Sequence, residues 1–298
     1  MNPRERGFLL LTCKLGNPDR KVLTVPQLRT LAERMRTATG WDPEKELEIR
    51  DLMELGYSRD MANRIVSLME EEELLDRYLV RGKRRGCVPI TRVSPEYPLI
   101  LRKRLGEDAP GCLWALGDIS LLNGPKISLV GSRDLNRENL AFAREAGRQA
   151  ARQDYILVSG NARGADSAAQ EQCLAAGGRV ISVVADKLEQ LQPGERVLYL
   201  SELDYDEAFS SQRALSRNRC IHALGSKVLV AQSTLRKGGT WDGTVKNLRF
   251  GWSPVFCYED GSEAARMLIQ MGANGIGMDD LGHFDGLTPA QSNFLDRQ

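Results

Sequence analysis

The sequence predicts an α/β protein in which a doubly wound, mostly parallel sheet follows a small helical domain. Three observations predict it. Short β-branched runs alternate with helical segments from about residue 91 to residue 275. Glycine-rich turns stand where strands hand over to helices. Apolar residues in the first 80 positions recur at helical spacing.

Along the N-terminal part, Leu28, Leu31 and Met35 mark one amphipathic stripe. Leu47, Leu52, Leu55, Ile65, Leu68 and Met69 mark the next. Gly40 and Pro43 separate them. Leu55-Gly56-Tyr57-Ser58 reads as a turn between two helices, with Ser58 placed to cap the second. Such a helix–Gly–helix unit either holds a nucleic-acid backbone through its amides or is a packing corner. Residues 81–90 read as a basic, glycine-containing linker.

Strands are expected at Lys126–Val130, Tyr155–Val158, Arg179–Val184, Lys227–Val230 and Val255–Tyr258. Helices are expected at Arg137–Gln153, Ala165–Ala176, Ala208–Leu224, Thr240–Arg249 and Ser262–Gln270. This alternation implies a Rossmann-like sheet with helices on both faces. The organisation expected is a helical domain and basic linker over 1–90, a Rossmann-like domain over 91–275 and a short tail over 276–298.

Composition excludes several classes. The chain has 298 residues, 42% hydrophobic and 27% charged, as an ordinary globular protein does. No apolar run approaches the roughly 18 residues needed to span a membrane. The apolar stretch Gly7–Thr12 is too short for a signal-peptide core, so a cytoplasmic location is expected. Cysteines 13, 87, 112, 173, 220 and 257 form no CxxC cluster, and the only histidines are His222 and His283. Buried reduced thiols are therefore expected, with neither a disulfide framework nor a metal site. Net charge is only +1, but Arg77 to Arg104 holds nine Lys/Arg against the single acid Glu96. That stripe is either an attractor for phosphates or a solvated surface.

Four segments carry candidate chemistry. Val130-Gly131-Ser132-Arg133 ends the first predicted strand of the domain. Ligands of open α/β sheets bind at the carboxyl ends of strands. Glycine there permits close backbone approach, the next helix offers free amides, and Arg133 offers a bidentate fork. Ser159-Gly160-Asn161-Ala162-Arg163-Gly164-Ala165-Asp166 repeats the device on the next strand. Asp166 either caps the helix or orients Arg163. Arg217-Asn218-Arg219 falls inside a predicted helix, where adjacent residues point to different sides. Lys237-Gly238-Gly239-Thr240 opens a further helix and forms a third anion nest. Trp241 beside it either stacks on a base or packs against the sheet.

Taken in this order, the segments resemble the DprA/Smf family of DNA-processing proteins. Tyr97-Pro98, Val130 to Arg133, Ser159 to Asp166 and Arg217 to Arg219 match its motifs, and the likeness covers about 91–275. The chain departs from the family at Gln170, where a histidine is usual, and at the Gly-Gly-Thr-Trp motif of 238–241. The resemblance implies single-stranded DNA in a basic cleft above the sheet, a RecA-like recombinase as partner and a homodimer. It implies that Arg133 and Arg163 contact phosphates, while Gly131, Ser132, Ser159 and Gly160 supply amides and hydroxyls.

Three functions compete. The first is a DNA-binding module acting in DNA uptake or recombination, with no catalysis and no cofactor. Its cleft would be lined by Arg133, Arg163, Arg217 and Lys237. The second is a nucleotide-binding or nucleotide-hydrolysing domain of the SLOG or lysine-decarboxylase-like group, as occurs in phage defence. Asp166, Glu202 and Asp242 are its candidate acids. The third is a scaffold for protein partners. No phosphate loop of the ATPase type is present.

Overall fold

The computed structural model of the chain describes residues 1–38 and 47–289. The expected breakers Gly40 and Pro43, and the tail beyond residue 289, lie outside the described residues.

Five helices come first: α1 (Pro3–Thr12), α2 (Val25–Thr37), α3 (Ile49–Glu54), α4 (Arg59–Met69) and α5 (Glu72–Arg84). The Asn2 side chain accepts the Glu5 amide and Glu5 returns to the Asn2 amide, so a capping box starts α1. Ser58 caps α4 as its sequence position suggests, accepting the Met61 amide at 3.3 Å. The Leu55–Ser58 turn is a packed corner. Arg34 donates to the Leu55 carbonyl and lies 4.4 Å over the Tyr57 ring. Leu31, Leu52, Ile65 and Leu68 form the core of α2, α3 and α4. A second cluster joins Leu9, Leu10, Leu75 and Tyr78 to Trp114, Leu116 and Tyr205, and so docks α1 and α5 on the sheet.

The rest of the chain runs β1 (Cys87–Thr91), α6 (Leu99–Leu105), β2 (Cys112–Gly117), β3 (Lys126–Val130), α7 (Arg137–Arg152), β4 (Ile156–Ser159), α8 (Ala165–Ala175) and β5 (Arg179–Val183). It continues through β6 (Val197–Ser201), α9 (Ser211–Ser216), α10 (Asn218–Leu224), β7 (Val228–Val230), α11 (Gly238–Phe250), β8 (Val255–Tyr258), α12 (Glu263–Gln270) and β9 (Asn274–Ile276). One sheet holds all nine strands in the order β1-β2-β6-β5-β4-β3-β7-β8-β9. The seven strands from β6 to β9 are parallel, and β2 and β1 extend the edge antiparallel.

The expected doubly wound α/β fold is present, and five of its parallel strands stand where the sequence put them. Four strands were not foreseen. β1 contains Pro89 and follows a basic run, β9 is three residues long with a central glycine, and β2 and β6 carry no β-branched run. Residues 81–90, read as a linker, are the last turn of α5 and the start of β1. Positions 276–289 of the expected tail end β9 and then bury Leu281, Phe284 and Leu287, with Phe284 donating its amide to Gln153.

A parallel sheet is covered on both faces, so its strands alternate between two cores. In β3, Ile127 and Leu129 meet Phe142, Ala146 and Ala169 of α7 and α8. Val130 faces the opposite way, into the core with Ile221, Leu224 and Leu268 of α10 and α12. The chain lays down β3, β4, β5 and β6 in one direction, then returns to the other side of β3 for β7, β8 and β9. Strand order therefore reverses between β3 and β7, and the crevice above their carboxyl ends is where such sheets bind ligands.

Candidate phosphate-binding cleft

A cleft of about 420 Å³ opens above the β3–β7 switch point. Gly131, Ser132 and Arg133 wall it from β3, Ala162 and Asp166 from β4, and Thr234, Gly238, Gly239 and Thr240 from β7. Leu215, Arg217, Asn218 and His222 close it from α9 and α10.

Backbone contacts explain why the loops carry glycine. A Cβ on Gly131 would lie 2.4 Å from Ala165 Cβ, so only glycine lets α8 approach β3 this closely. Gly164 has φ +93° and presses on the Ser132 and Arg133 carbonyls, where a Cβ would come within 2.5 Å of both oxygens. The Ser132 carbonyl accepts from the Ala165 amide at 3.1 Å. Thr240 Oγ1 donates to the Gly131 carbonyl at 2.9 Å and ties the start of α11 to the β3 loop. Gly238 has φ +82°, and no side chain caps α11. Its first amides and the positive end of its dipole therefore face the cleft.

The charged groups divide sharply. Arg133 is exposed, lines the cleft and has no ion pair among the described residues. Arg217 is 8% exposed and donates from Nη2 to the Gly160 carbonyl at 2.9 Å. Its Nε has no acceptor among the described residues. Burial lowers the affinity of its guanidinium for the proton, against the pull of Asp166 and Glu202. Asp166 neither caps α8 nor orients Arg163. It accepts from the Gly160 and Ala162 amides at 3.2 Å each, and so braces the β4 loop. Burial pushes its carboxyl above the ordinary range, and Arg217 pulls it back.

Three predicted cationic contacts stand elsewhere. Arg163 does not line the cleft; it reaches over the rim to pair with Asp134 at 2.7 Å, both side chains in solvent. Lys237 is exposed at the N-cap of α11, also outside the lining. Arg219 points away and pairs with Glu202 at 2.5 Å while donating to the Asp108 carbonyl. Arg217 and Asn218 do not point to different sides, because the predicted helix over 208–224 is broken. Arg217 is the junction between α9 and α10, and both residues line the cleft. Ser159 is buried at the end of β4 beneath the loop. The basic stripe from Arg77 to Arg104 lies on α5, β1 and α6, outside the cleft, where Arg104 is spent on the Ala223 and Gly225 carbonyls. Trp241 packs on the core beside Val245 and Leu248.

His222, like Ser211 and Thr234, lines the cleft and was passed over as a site residue in the sequence. It stands four positions after Asn218 and therefore on the same face of α10. That spacing was the available signal.

Among known proteins, the model of the family described as DNA recombination-mediator protein A matches residues 89–281. DNA processing protein DprA of Streptococcus pneumoniae is 32% identical over 193 residues, covering 60% of this chain and 68% of that protein. The Bacillus subtilis DprA is 25% identical over 230 residues, covering 72% and 77% respectively. In structure, the chain is similar to S. pneumoniae DprA with TM-score 0.61 at 24% identity, over 87% of this chain and 97% of that one. It is also similar to DNA processing protein A from Helicobacter pylori, whose structure concerns a single-stranded DNA binding mode. There the TM-score is 0.55 at 24% identity, over 65% of this chain and 93% of that one.

Proposed function

The chain belongs to the DNA recombination-mediator protein A family of DNA-processing proteins, and from that premise we propose that it binds single-stranded DNA through the cleft above β3 and β7 without catalysing a reaction on it. The observation that carries the proposal is Arg133. It is a guanidinium at the cleft mouth with no protein carboxylate to neutralise it among the described residues, beside the uncapped start of α11. Anionic backbone is the ligand for which such a set of donors is suited. Arg217 extends the basic surface to the floor. Arg163 and Lys237 lie outside the lining, on the loop after β4 and at the start of α11.

The non-catalytic part of the proposal is supported by what the candidate acids do. Asp166 is committed to two loop amides, Glu202 to Arg219, and Asp242 to Lys246 at 2.8 Å. None is left as a free pair of carboxylates at the cleft, as general acid–base chemistry on a sugar–base bond requires. Among the described residues, no helix is long and apolar enough to cross a membrane. Self-association and a RecA-like partner belong to the same proposal and rest on family membership.

The test is anisotropy of a labelled oligo-dT across a salt series, with wild type beside Arg133→Ala. Binding that weakens with salt, and a log–log slope smaller by about 0.7 in the variant, is expected for one lost phosphate contact. Salt-independent binding, or a variant identical to wild type, overturns the proposal.

A further inference from the structure

Between β6 and α9 the chain runs from Glu202 to Ser210 without helix or strand, and the N-terminal helical domain grips its middle. Asp204 accepts the Lys14 amide at 2.7 Å, and Lys14 Nζ pairs with Glu207 at 3.3 Å. Tyr78 of α5 donates its hydroxyl to Asp206 at 2.7 Å. Arg81, one turn further along α5, pairs with Asp206 and donates from Nε to the Tyr205 hydroxyl at 2.8 Å. That hydroxyl donates in turn to the Tyr78 carbonyl at 3.0 Å, and the Tyr205 ring is fully buried against Tyr78 and Trp114. Beyond Glu207 such packing ends. Residues 208–212 are exposed, and α9 has no buried side chain. Directed hydrogen bonds therefore hold this short helix in place of a core. Arg213 donates from Nη1 to the Glu207 and Ala208 carbonyls at 2.6 Å each and from Nη2 to Ser201 Oγ at 3.0 Å. One guanidinium thus ties α9 both to the gripped segment and to the end of β6. At the far end of the helix, Arg217 holds the Gly160 carbonyl.

The helix so held is a wall of the cleft, lined from α9 by Ser211, Ala214 and Leu215. Leu215 reaches the first turn of α11, where a Cβ built on Gly239 would meet its Cδ2 at 3.3 Å. The place of α9 therefore sets how far the cleft opens over the α11 amides. We propose that Arg213 is a positioning residue of the cleft, and that through it the grip of the N-terminal helical domain on residues 204–207 keeps α9 where the cleft can bind its ligand. This rests on the phosphate-binding reading of the cleft and makes the N-terminal domain part of that site.

Arg213 acts by position and not by contact. It does not line the cleft, and both of its terminal nitrogens are engaged by the protein. Its planar fork spans two carbonyls on one side and a hydroxyl on the other, which the single ammonium of a lysine cannot do. Tyr78 and Asp206 also stand outside the lining. Loss of the Asp206 charge would by electrostatics alone favour a polyanion, so the two effects of changing it have opposite signs.

The experiment compares full-length wild type with Arg213→Lys, Tyr78→Phe and Asp206→Asn in two measurements. One is oligo-dT anisotropy across a salt series. The other, without ligand, is hydrogen exchange at the Ala214 and Arg217 amides, which donate to the Ser210 and Arg213 carbonyls within α9. Arg213→Lys keeps the charge and loses the bridge, and is expected to bind about tenfold more weakly with the wild-type salt slope, since no phosphate contact is removed. Tyr78→Phe and Asp206→Asn are expected to bind about threefold more weakly, the second against the sign of its charge change. In all three variants the α9 amides are expected to exchange faster while those of β3 and β7 keep their protection, which separates a displaced wall from a general loss of stability. Should Arg213→Lys fail to fold, Tyr78→Phe, which removes one hydroxyl, still decides. Amides of α9 unprotected in wild type, or protected equally in every variant, overturn the proposal. Faster exchange with oligo-dT affinity unchanged overturns it too and leaves DNA binding standing. Faster exchange in the variants of a protein that binds no oligo-dT upholds the positioning of α9 and removes the DNA reading.

Discussion

Arg217 Nη2 donates to the Gly160 carbonyl, so the basic floor of the cleft is fastened to the loop after β4 through one hydrogen bond of 2.9 Å. The contact is possible because residue 160 has no side chain. A Cβ there would lie 1.9 Å from Arg217 Nη1. Gly160→Ala is therefore expected to expel the guanidinium from its place, with a loss of about 1–3 kcal/mol as for other overpacked sites. Urea unfolding and oligo-dT anisotropy should both register the change. Gly251→Ala, outside the cleft at the end of α11, is the control. Its Cβ meets nothing within 4 Å, and only the φ of +66° is strained, at about 1–2 kcal/mol. A Gly160→Ala protein as stable as wild type and binding as tightly would mean that Arg217 is dispensable to the floor.

Asp134 neutralises Arg163 across the rim, and both side chains stand in solvent. An exposed pair of this kind contributes little to stability. Asp134→Asn frees the guanidinium for phosphate and removes a negative charge from the mouth. Affinity for single strands is expected to rise by about threefold at low salt, and the gain is expected to fade as screening shortens toward a Debye length of roughly 8 Å. The thermal midpoint should stay where it is. A decrease in affinity would show that the carboxylate helps hold the ligand.

The doubly wound sheet was legible because its central strands are buried on both faces and so read as unbroken apolar runs, as in Ile156–Val158 and Val228–Val230. The edge was not. β1 carries the strand formers Val88, Ile90 and Thr91, but Pro89 in their midst confines the segment to a sheet edge, and pairing with β2 makes it a strand. In the cleft, glycines and Arg133 were legible because strand-to-helix turns recur in sequence. Arg163, Arg219 and Lys237 have the same composition, and only tertiary contacts separate them. Asp134 and Glu202, far away in the chain, claim the first two. His222 was hidden because its partners Asn247 and Ser253 stand 25 and 31 positions away.

Arg219 sits beside the two cleft residues in sequence but serves stability. Its partner Glu202 has a side chain 9% exposed, and burial already raises its carboxyl against the pull of Arg219. Arg219→Ala leaves that carboxyl buried and unpaired, which is expected to remove about 3 kcal/mol from the unfolding free energy. The slope of log affinity against log salt should match wild type, unlike that of Arg133→Ala. A reduced slope with unchanged stability would move Arg219 into the DNA contact.

His222 also gives the fold a pH dependence with a definite sign. Its folded value is held at about 3, against an ordinary value of 6.5. Below pH 6.5 the unfolded chain takes up a proton that the folded chain refuses, so the histidine makes the protein less stable as pH falls. The slope is about 1.4 kcal/mol per pH unit, and the window runs from 6.5 down to the folded value. Asp166, Glu202 and Asp204 act oppositely. Burial raises each of them, so the folded chain takes up their protons first and gains stability on acidification. The wild-type curve mixes these contributions, and the difference from His222→Phe isolates one. Urea unfolding of the two proteins at pH 7.5, 6 and 5 is expected to show the variant gaining on wild type at each acidic step. A constant difference across that series would mean that the imidazole protonates in the folded state as readily as in the unfolded one, which a ring sealed by Asn247 beneath the cleft does not allow.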